Sequence, residues 1–346
     1  MELETFDDVL ESIESNSSRK FHLLLGNGFS MAYDREIFSY DALNEFVTNI
    51  DDVLLSTLFE IVNTKNFEQV MQQLDNFYEL IEALGSDPQL KDKVEVASQR
   101  LKESLVEAVG TLHPEHVFEV PQHQNDVCAS FLSTFLDTEG NVYTTNYDLL
   151  LYWVLMRNEV LDSVDGFGRE RLNPGEDLPE DEIEYSELRW GKHKGEQDIF
   201  YLHGTLPIFD TGVEIVKEEY NSRNYLLENV RERMERKEYP IFVTAGDAQE
   251  KLEHIMHNRY LTYCYENLCN IRGSLVTFGF NFGKYDEHII EAINRAAKFG
   301  RKHPPKLWSV YIGVYSEEDR NHIESIEDEF NCKVHIYDAS TANVWA

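Results

Sequence analysis

Four short stretches set small, polar or ionisable residues where apolar runs stop. They are Gly26-Asn27-Gly28-Phe29-Ser30, Thr144-Thr145-Asn146-Tyr147-Asp148, His203-Gly204-Thr205 and Gly279-Phe280-Asn281-Phe282. Gly-Asn-Gly after a strand lets a backbone approach a pyrophosphate and leaves N–H groups to hold it; a plain tight turn is the competing reading. Asn146 and Asp148 offer an amide and a carboxylate that can hold a ribose or an attacking water, and helix capping explains the same two residues. His203 ends an apolar strand beside a glycine. An imidazole there titrates near neutral pH and suits a general base, although a lone strand-end histidine more often serves structure. Any one stretch is a weak signal. Their joint placement is the argument.

Other chemistries lack their anchor residues. The third glycine of a dehydrogenase fingerprint is replaced by Met31, and the next clear strand comes only at about 141, which weighs against hydride transfer. There is no Gly-x-Ser-x-Gly elbow and no Walker Gly-Lys-Ser/Thr. His113, His116 and His123 surround Pro114 and Pro121 without metal-ligand spacing, and His254 and His257 share a helix face that reads as solvated. Cys128, Cys264, Cys269 and Cys332 form no C-x-x-C pair and read as free thiols. No metal is expected.

The elements that position these residues follow from hydrophobic patterning. Strands are predicted at 21–25, 141–145, 199–204, 239–246, 274–280, 306–314 and 333–338. Helices are predicted near 40–47, over 67–84, 94–112, 147–157 and 248–270, and at about 285–298 and 317–329. Residues 162–198 read as a long acidic surface loop with room for a hairpin. Strands alternating with helices predict an α/β fold: a Rossmann-like parallel sheet with helices on both faces. An all-helical insertion follows the first strand and helix, within about residues 50–125 of a single domain spanning 1–346. In such sheets ligands bind beyond the carboxyl ends of the strands, where the four stretches lie.

The 346 residues carry a formal net charge of −33, from 64 acidic and 31 basic side chains. That excess argues against direct nucleic-acid binding and against an anionic membrane surface. A small anionic ligand remains compatible, because backbone N–H groups supply local positive potential. A polar, acidic start and the lack of a long apolar run predict a cytoplasmic protein without signal peptide or membrane span.

The set of four motifs resembles the sirtuin superfamily, in which Gly-Ala-Gly-Ile-Ser, Thr-Gln-Asn-Ile-Asp, His-Gly and a late Gly-Thr/Ser strand end follow in the same order. It is more similar still to bacterial sirtuin-like proteins of anti-phage defence. These carry Gly-x-Gly-Phe-Ser, Thr-x-Asn-Tyr-Asp, Leu-His-Gly and a late Gly-Phe strand followed by an aspartate, here Asp286. The resemblance spans about residues 21–312 and lacks the four-cysteine zinc module of protein deacylases. It implies NAD⁺ hydrolysis to ADP-ribose and nicotinamide, with NAD as substrate. By carry-over, Gly26, Gly28 and Ser30 cradle the pyrophosphate, and Asn27, Phe29 and Thr145 are also expected to bind NAD. Asn146 holds the ribose and the attacking water, Asp148 orients the nicotinamide pocket, and His203 is the base. Gly279 and Asn281 line the adenosine side, and Phe280 and Asp286 complete the expected NAD-binding set. The resemblance further implies a homo-oligomer, or a partner such as a HerA-type translocase ATPase, that gates the activity. A non-catalytic module that senses NAD or ADP-ribose is the alternative.

Overall fold

The structure is a computed structural model that describes residues 3–15, 20–38, 53–62, 67–85, 88–157, 163–173, 175, 179, 182–236, 238–243, 247–297 and 307–346. The helix expected near 40–47 lies outside the described residues. In chain order the strands are β1 (Phe21–Leu25), β2 (Val142–Thr144), β3 (Phe167–Gly168), β4 (Leu188–Trp190), β5 (Ile199–Tyr201), β6 (Gly204–Asp210), β7 (Ile215–Lys217), β8 (Pro240–Phe242), β9 (Gly273–Phe278), β10 (Leu307–Val314) and β11 (Lys333–Asp338).

Six of them form a parallel sheet in the order β11-β10-β9-β1-β2-β5. Strands covered on both faces read as near-continuous apolar runs, and all five residues of β1 are buried, His22 among them. The helix Gln122–Leu136 covers part of this sheet, with Cys128, Phe131, Leu132 and Phe135 in the core. Counted among themselves, the six strands run 6-5-4-1-2-3, the doubly wound Rossmann order with helices on both faces. The order reverses between β1 and β9. There the register sets Leu25 level with Phe278 on one side and with Thr144 on the other. Three of the four polar stretches therefore leave the sheet side by side at its switch point, the place where such folds bind ligands.

Two expectations about the sheet need correction. The strand expected at 239–246 is β8, and it does not join the parallel sheet. It pairs antiparallel with β6 in a second, five-stranded sheet ordered β3-β4-β7-β6-β8. The stretch 162–198, expected as a surface loop with room for a hairpin, is not all loop: its antiparallel pair β3 and β4 enters that sheet. The helix expected over 248–270 is two helices, Ala248–His257 and Arg259–Leu268. Asn258 divides them because its side chain accepts from the N–H groups of Tyr260 and Leu261.

The insertion expected to about residue 125 stops short of that, because Val120 and the helix Gln122–Leu136 pack in the main core; its described helices are Val53–Val62, Phe67–Ala83 and Pro88–Leu112. They bury Leu55, Phe59, Val70, Leu74, Ile81, Val94, Ala97 and Leu101 in a cluster separate from the main core.

Candidate functional site

The turn after β1 is shaped by glycine because two backbones meet there. A Cβ on Gly26 would come within 2.5 Å of the Gly279 carbonyl oxygen, and one on Gly28 within 2.5 Å of the Gly279 Cα. Gly279 has φ +66°, a left-handed conformation that glycine adopts without steric cost. A seven-residue helix, Asn27–Tyr33, starts at once. The free N–H groups expected of this loop are largely committed. Gly26 N–H donates to Phe278 O at 3.0 Å, Gly28 N–H to Gly279 O at 2.9 Å, and Phe29 N–H to Gly26 O at 2.9 Å. The glycines thus serve close packing of the β1 and β9 ends first. What they offer a ligand is a surface free of side chains.

Phe29 and Ser30 point inward, away from any ligand. Phe29 packs on Trp345, with ring centroids 5.1 Å apart, and the Trp345 indole N–H donates to Phe29 O at 2.9 Å. Ser30 is 0% exposed. Its hydroxyl donates to Asp148 Oδ2 at 2.5 Å and accepts from Asn146 Nδ2 at 2.8 Å. The other carboxylate oxygen of Asp148 accepts the Leu150 N–H at 2.9 Å, which caps the helix Leu150–Arg157. This cap is why that helix begins three residues later than expected. Asn146 is thereby fixed by a serine on the first strand's helix and a carboxylate two residues on. Thr145 is tied to the end of β1 by its N–H to Leu25 O at 3.1 Å.

His113 braces the same loop from below. Its Nε2 accepts the Leu149 N–H at 2.9 Å and its Nδ1 faces Pro114 O at 2.9 Å. These partners fix a neutral ring protonated on Nδ1, and burial pushes its pKa down. Sequence reasoning had set this histidine aside.

His203 stands between the two sheets. It follows β5, and Gly204 opens β6. Its carbonyl accepts the Val243 N–H at 3.0 Å, just after β8. Thr205 Oγ1 donates to Tyr147 O at 2.9 Å, linking this corner to the Asn146 loop. The His203 Nε2 lies 2.8 Å from Nε2 of His288, on the first turn of the helix Glu287–Ala297. Both rings are buried. Desolvation, helped by the neighbouring ring and the Lys251 ammonium, drives the His203 pKa well below its usual value; desolvation holds His288 at about 4. Asp286 is close by and pairs with Lys251 at 3.0 Å. One ligand atom each from His203, Asp286 and His288 lies within 4.8 Å of the others, a spacing that admits a metal ion. The surroundings fit one poorly. Lys251, 0% exposed, already supplies a positive charge to Asp286. His288 Nδ1 is buried with no hydrogen-bond partner, whereas a metal-bound imidazole carries a proton there and donates it.

A cavity of about 1140 Å³ opens over the strand ends, slightly larger than the usual range of small-molecule sites. Asn27, Gly28, Thr145, Asn146, Asp148, His203, Gly279, Phe280, Asn281 and Asp286 line it; Gly26, Phe29 and Ser30 do not. Ten of the thirteen residues expected at the site thus share one cavity, and the other three support it from behind. Sequence reasoning missed His288 and Lys251. Asp286-Glu287-His288 was the available signal, a second ionisable residue two positions after an aspartate already singled out. Trp345 and the residues before it close the cavity on one side.

All four cysteines are free thiols, and burial raises Cys264 to about 12 and Cys269 to about 11. Among the described residues no helix is long and apolar enough to cross a membrane. A comparison with curated proteins gives no match. The model of a family described as a domain of unknown function, DUF4917, matches residues 23–345, nearly the whole sheet and every cavity residue but Ala346. The chain belongs to that family.

Proposed function

We propose that this chain is an NAD⁺ hydrolase that cleaves the bond between nicotinamide and ribose C1′. One observation carries the reading. Asn146, held by Ser30 and Asp148, and His203, held by His288, face one cavity at the switch point of a Rossmann-ordered sheet. A dinucleotide is the ligand class such a crevice takes. Gly28 and Gly279 leave it no side chain to clear where the pyrophosphate would lie.

The chemistry asks little of the protein beyond position. As the C1′–N bond breaks, its electron pair neutralises the pyridinium and nicotinamide leaves uncharged. The oxocarbenium-like ribose captures water at C1′, and the water loses one proton. Asn146 and His203 would hold the ribose hydroxyls and the water in line, with entropy already spent on folding. Exposed apolar side chains on the helical stretch, Val53, Ile61, Leu80 and Leu84 among them, support gating through self-association or through a partner such as a HerA-type translocase in the cytoplasm.

The test is incubation of the purified chain with NAD⁺, chromatography of ADP-ribose and nicotinamide, and the same for Asn146→Ala and His203→Ala. Turnover lost in both variants supports the reading. Binding of NAD⁺ without turnover points to a sensor of NAD or ADP-ribose. No binding overturns the assignment of the cavity.

A further inference from the structure

We infer that His288 fixes the tautomer of His203, so that His203 meets the substrate as a hydrogen-bond donor through Nδ1–H and not as a base. The donor role rests on the NAD⁺ hydrolase reading; the tautomer itself does not.

Two neutral rings joined Nε2 to Nε2 share one proton between them, and two arrangements exist. In the first, His203 Nε2–H donates to His288 Nε2, which puts the second ring's proton on His288 Nδ1. That atom is buried and no acceptor reaches it. In the second, His288 Nε2–H donates to His203 Nε2, which puts the proton of His203 on its Nδ1. His203 lines the cavity, and its Nδ1 is not among the buried atoms left without a partner. The first arrangement strands a buried N–H donor. The second leaves only a bare acceptor on His288. Stranded donors are the rarer and costlier of the two, so the second arrangement holds.

The groups facing the pair agree with two neutral rings. Lys251, from the helix Ala248–His257, opposes a further positive charge, and Asp286, in the turn before His288, is already paired with that lysine. Tyr265, from the helix Arg259–Leu268, donates its hydroxyl to the His288 carbonyl and anchors the backbone, not the ring. With its Nε2 lone pair engaged by His288 and its Nδ1 protonated, His203 has no free site for a proton. It orients a ribose oxygen or the water, and the water's proton departs to solvent through the cavity. His288, which touches no substrate, is a positioning residue.

Long-range ¹H–¹⁵N correlation of the histidine rings at pH 7 tests this, with His203→Gln to assign the signals. Wild type should show His203 as the Nδ1–H tautomer. His288→Gln keeps a donor and should preserve it. His288→Glu supplies an acceptor and should move the proton to Nε2. On the same samples, NAD⁺ turnover should fall about tenfold in His288→Glu, the worth of one misdirected hydrogen bond, and stay within about threefold in His288→Gln. His203 protonated on Nε2 in the wild type overturns the inference, whatever the turnover. The expected tautomer in a protein that never hydrolyses NAD⁺ leaves the histidine pair standing and overturns the hydrolase reading instead. If His288→Glu fails to fold, the wild-type and His288→Gln spectra still decide.

Discussion

Removing one oxygen atom at Ser30 should loosen both the fold and the site. The Ser30 hydroxyl joins the helix Asn27–Tyr33 to the Asn146–Asp148 loop through the side chains of Ser30, Asn146 and Asp148. In Ser30→Ala, Asp148 Oδ2 loses a charge-assisted hydrogen bond of 2.5 Å, and Asn146 Nδ2 loses its acceptor at 2.8 Å. A hydrogen bond to a charged group contributes about 1.5–3 kcal/mol, and a stranded neutral donor costs about 1–2 kcal/mol. Ser30 is 0% exposed and Asp148 is 7% exposed, so bulk water does not replace the lost partner. The Leu150 cap on Oδ1 survives, which keeps the helix start and limits the loss. The expected destabilisation is therefore about 2–4 kcal/mol.

Urea unfolding measures it, provided the slope of the transition stays that of the wild type. A double-mutant cycle with Asp148→Asn isolates the pair, and a coupling of about 2 kcal/mol is expected. A Ser30→Ala change below about 0.5 kcal/mol, the range of ordinary surface substitutions, would refute the argument that this hydroxyl holds the loop.

Three further outcomes follow from the same kind of reasoning. Burial holds both His22 and His288 at about 4, below the 6.5 they have when unfolded. The unfolded chain therefore takes up these protons first, so their contribution is full above pH 6.5 and is lost as pH falls toward 4, up to about 3 kcal/mol for each ring; a urea midpoint that stays flat from pH 7 to 4.5 would contradict it. Gly279→Ala and Gly85→Ala separate contact from conformation, since φ is +66° and +65° but only Gly279 has a backbone atom 2.5 Å from the new Cβ. Gly85→Ala should cost about 1 kcal/mol and Gly279→Ala about 2–4 kcal/mol, and equal losses would show that packing of β1 on β9 does not demand the glycine. His113→Ala strands the Leu149 N–H and empties the space beside Trp153, with about 3 kcal/mol lost in thermal or urea unfolding; a loss under 1 kcal/mol would mean that the ring does not brace the loop.

The parallel sheet was legible because its strands have no choice of environment. Phe21–Leu25 and Gly273–Phe278 are buried throughout, so apart from His22, Ser274 and Thr277 they read as apolar runs that stop on glycine. The second sheet was not legible for the opposite reason. Phe167–Gly168, Leu188–Trp190 and Ile215–Lys217 are two or three residues long, and the first two are set among acidic residues. Pairing with one another, and of β7 with β6, makes them strands, and pairing leaves no period to read in so short a stretch. The Ser30–Asp148 bond was out of reach too, since it joins residues 118 apart.

His203 and Gly204 illustrate how a correct placement can rest on an incomplete reason. The apolar run ending on His-Gly reads as a strand end where a ligand approaches, and His203 does line the cavity. Gly204 answers to another constraint. With φ +82°, it lets the chain turn from β5 into β6 against β8, and a Cβ there would fall 1.8 Å from the Ile241 carbonyl oxygen. The antiparallel sheet thus fixes the backbone on one side of His203, while His288, on a helix that follows β9 of the parallel sheet, fixes the ring on the other. The histidine is held at a joint between two sheets. A shift of either one changes the distance between Nε2 of His203 and Nε2 of His288. The Asn146 loop spans the same joint, because Ser30 and His113 hold it on one side while Thr205 of β6 donates to the Tyr147 and Asp148 carbonyls on the other.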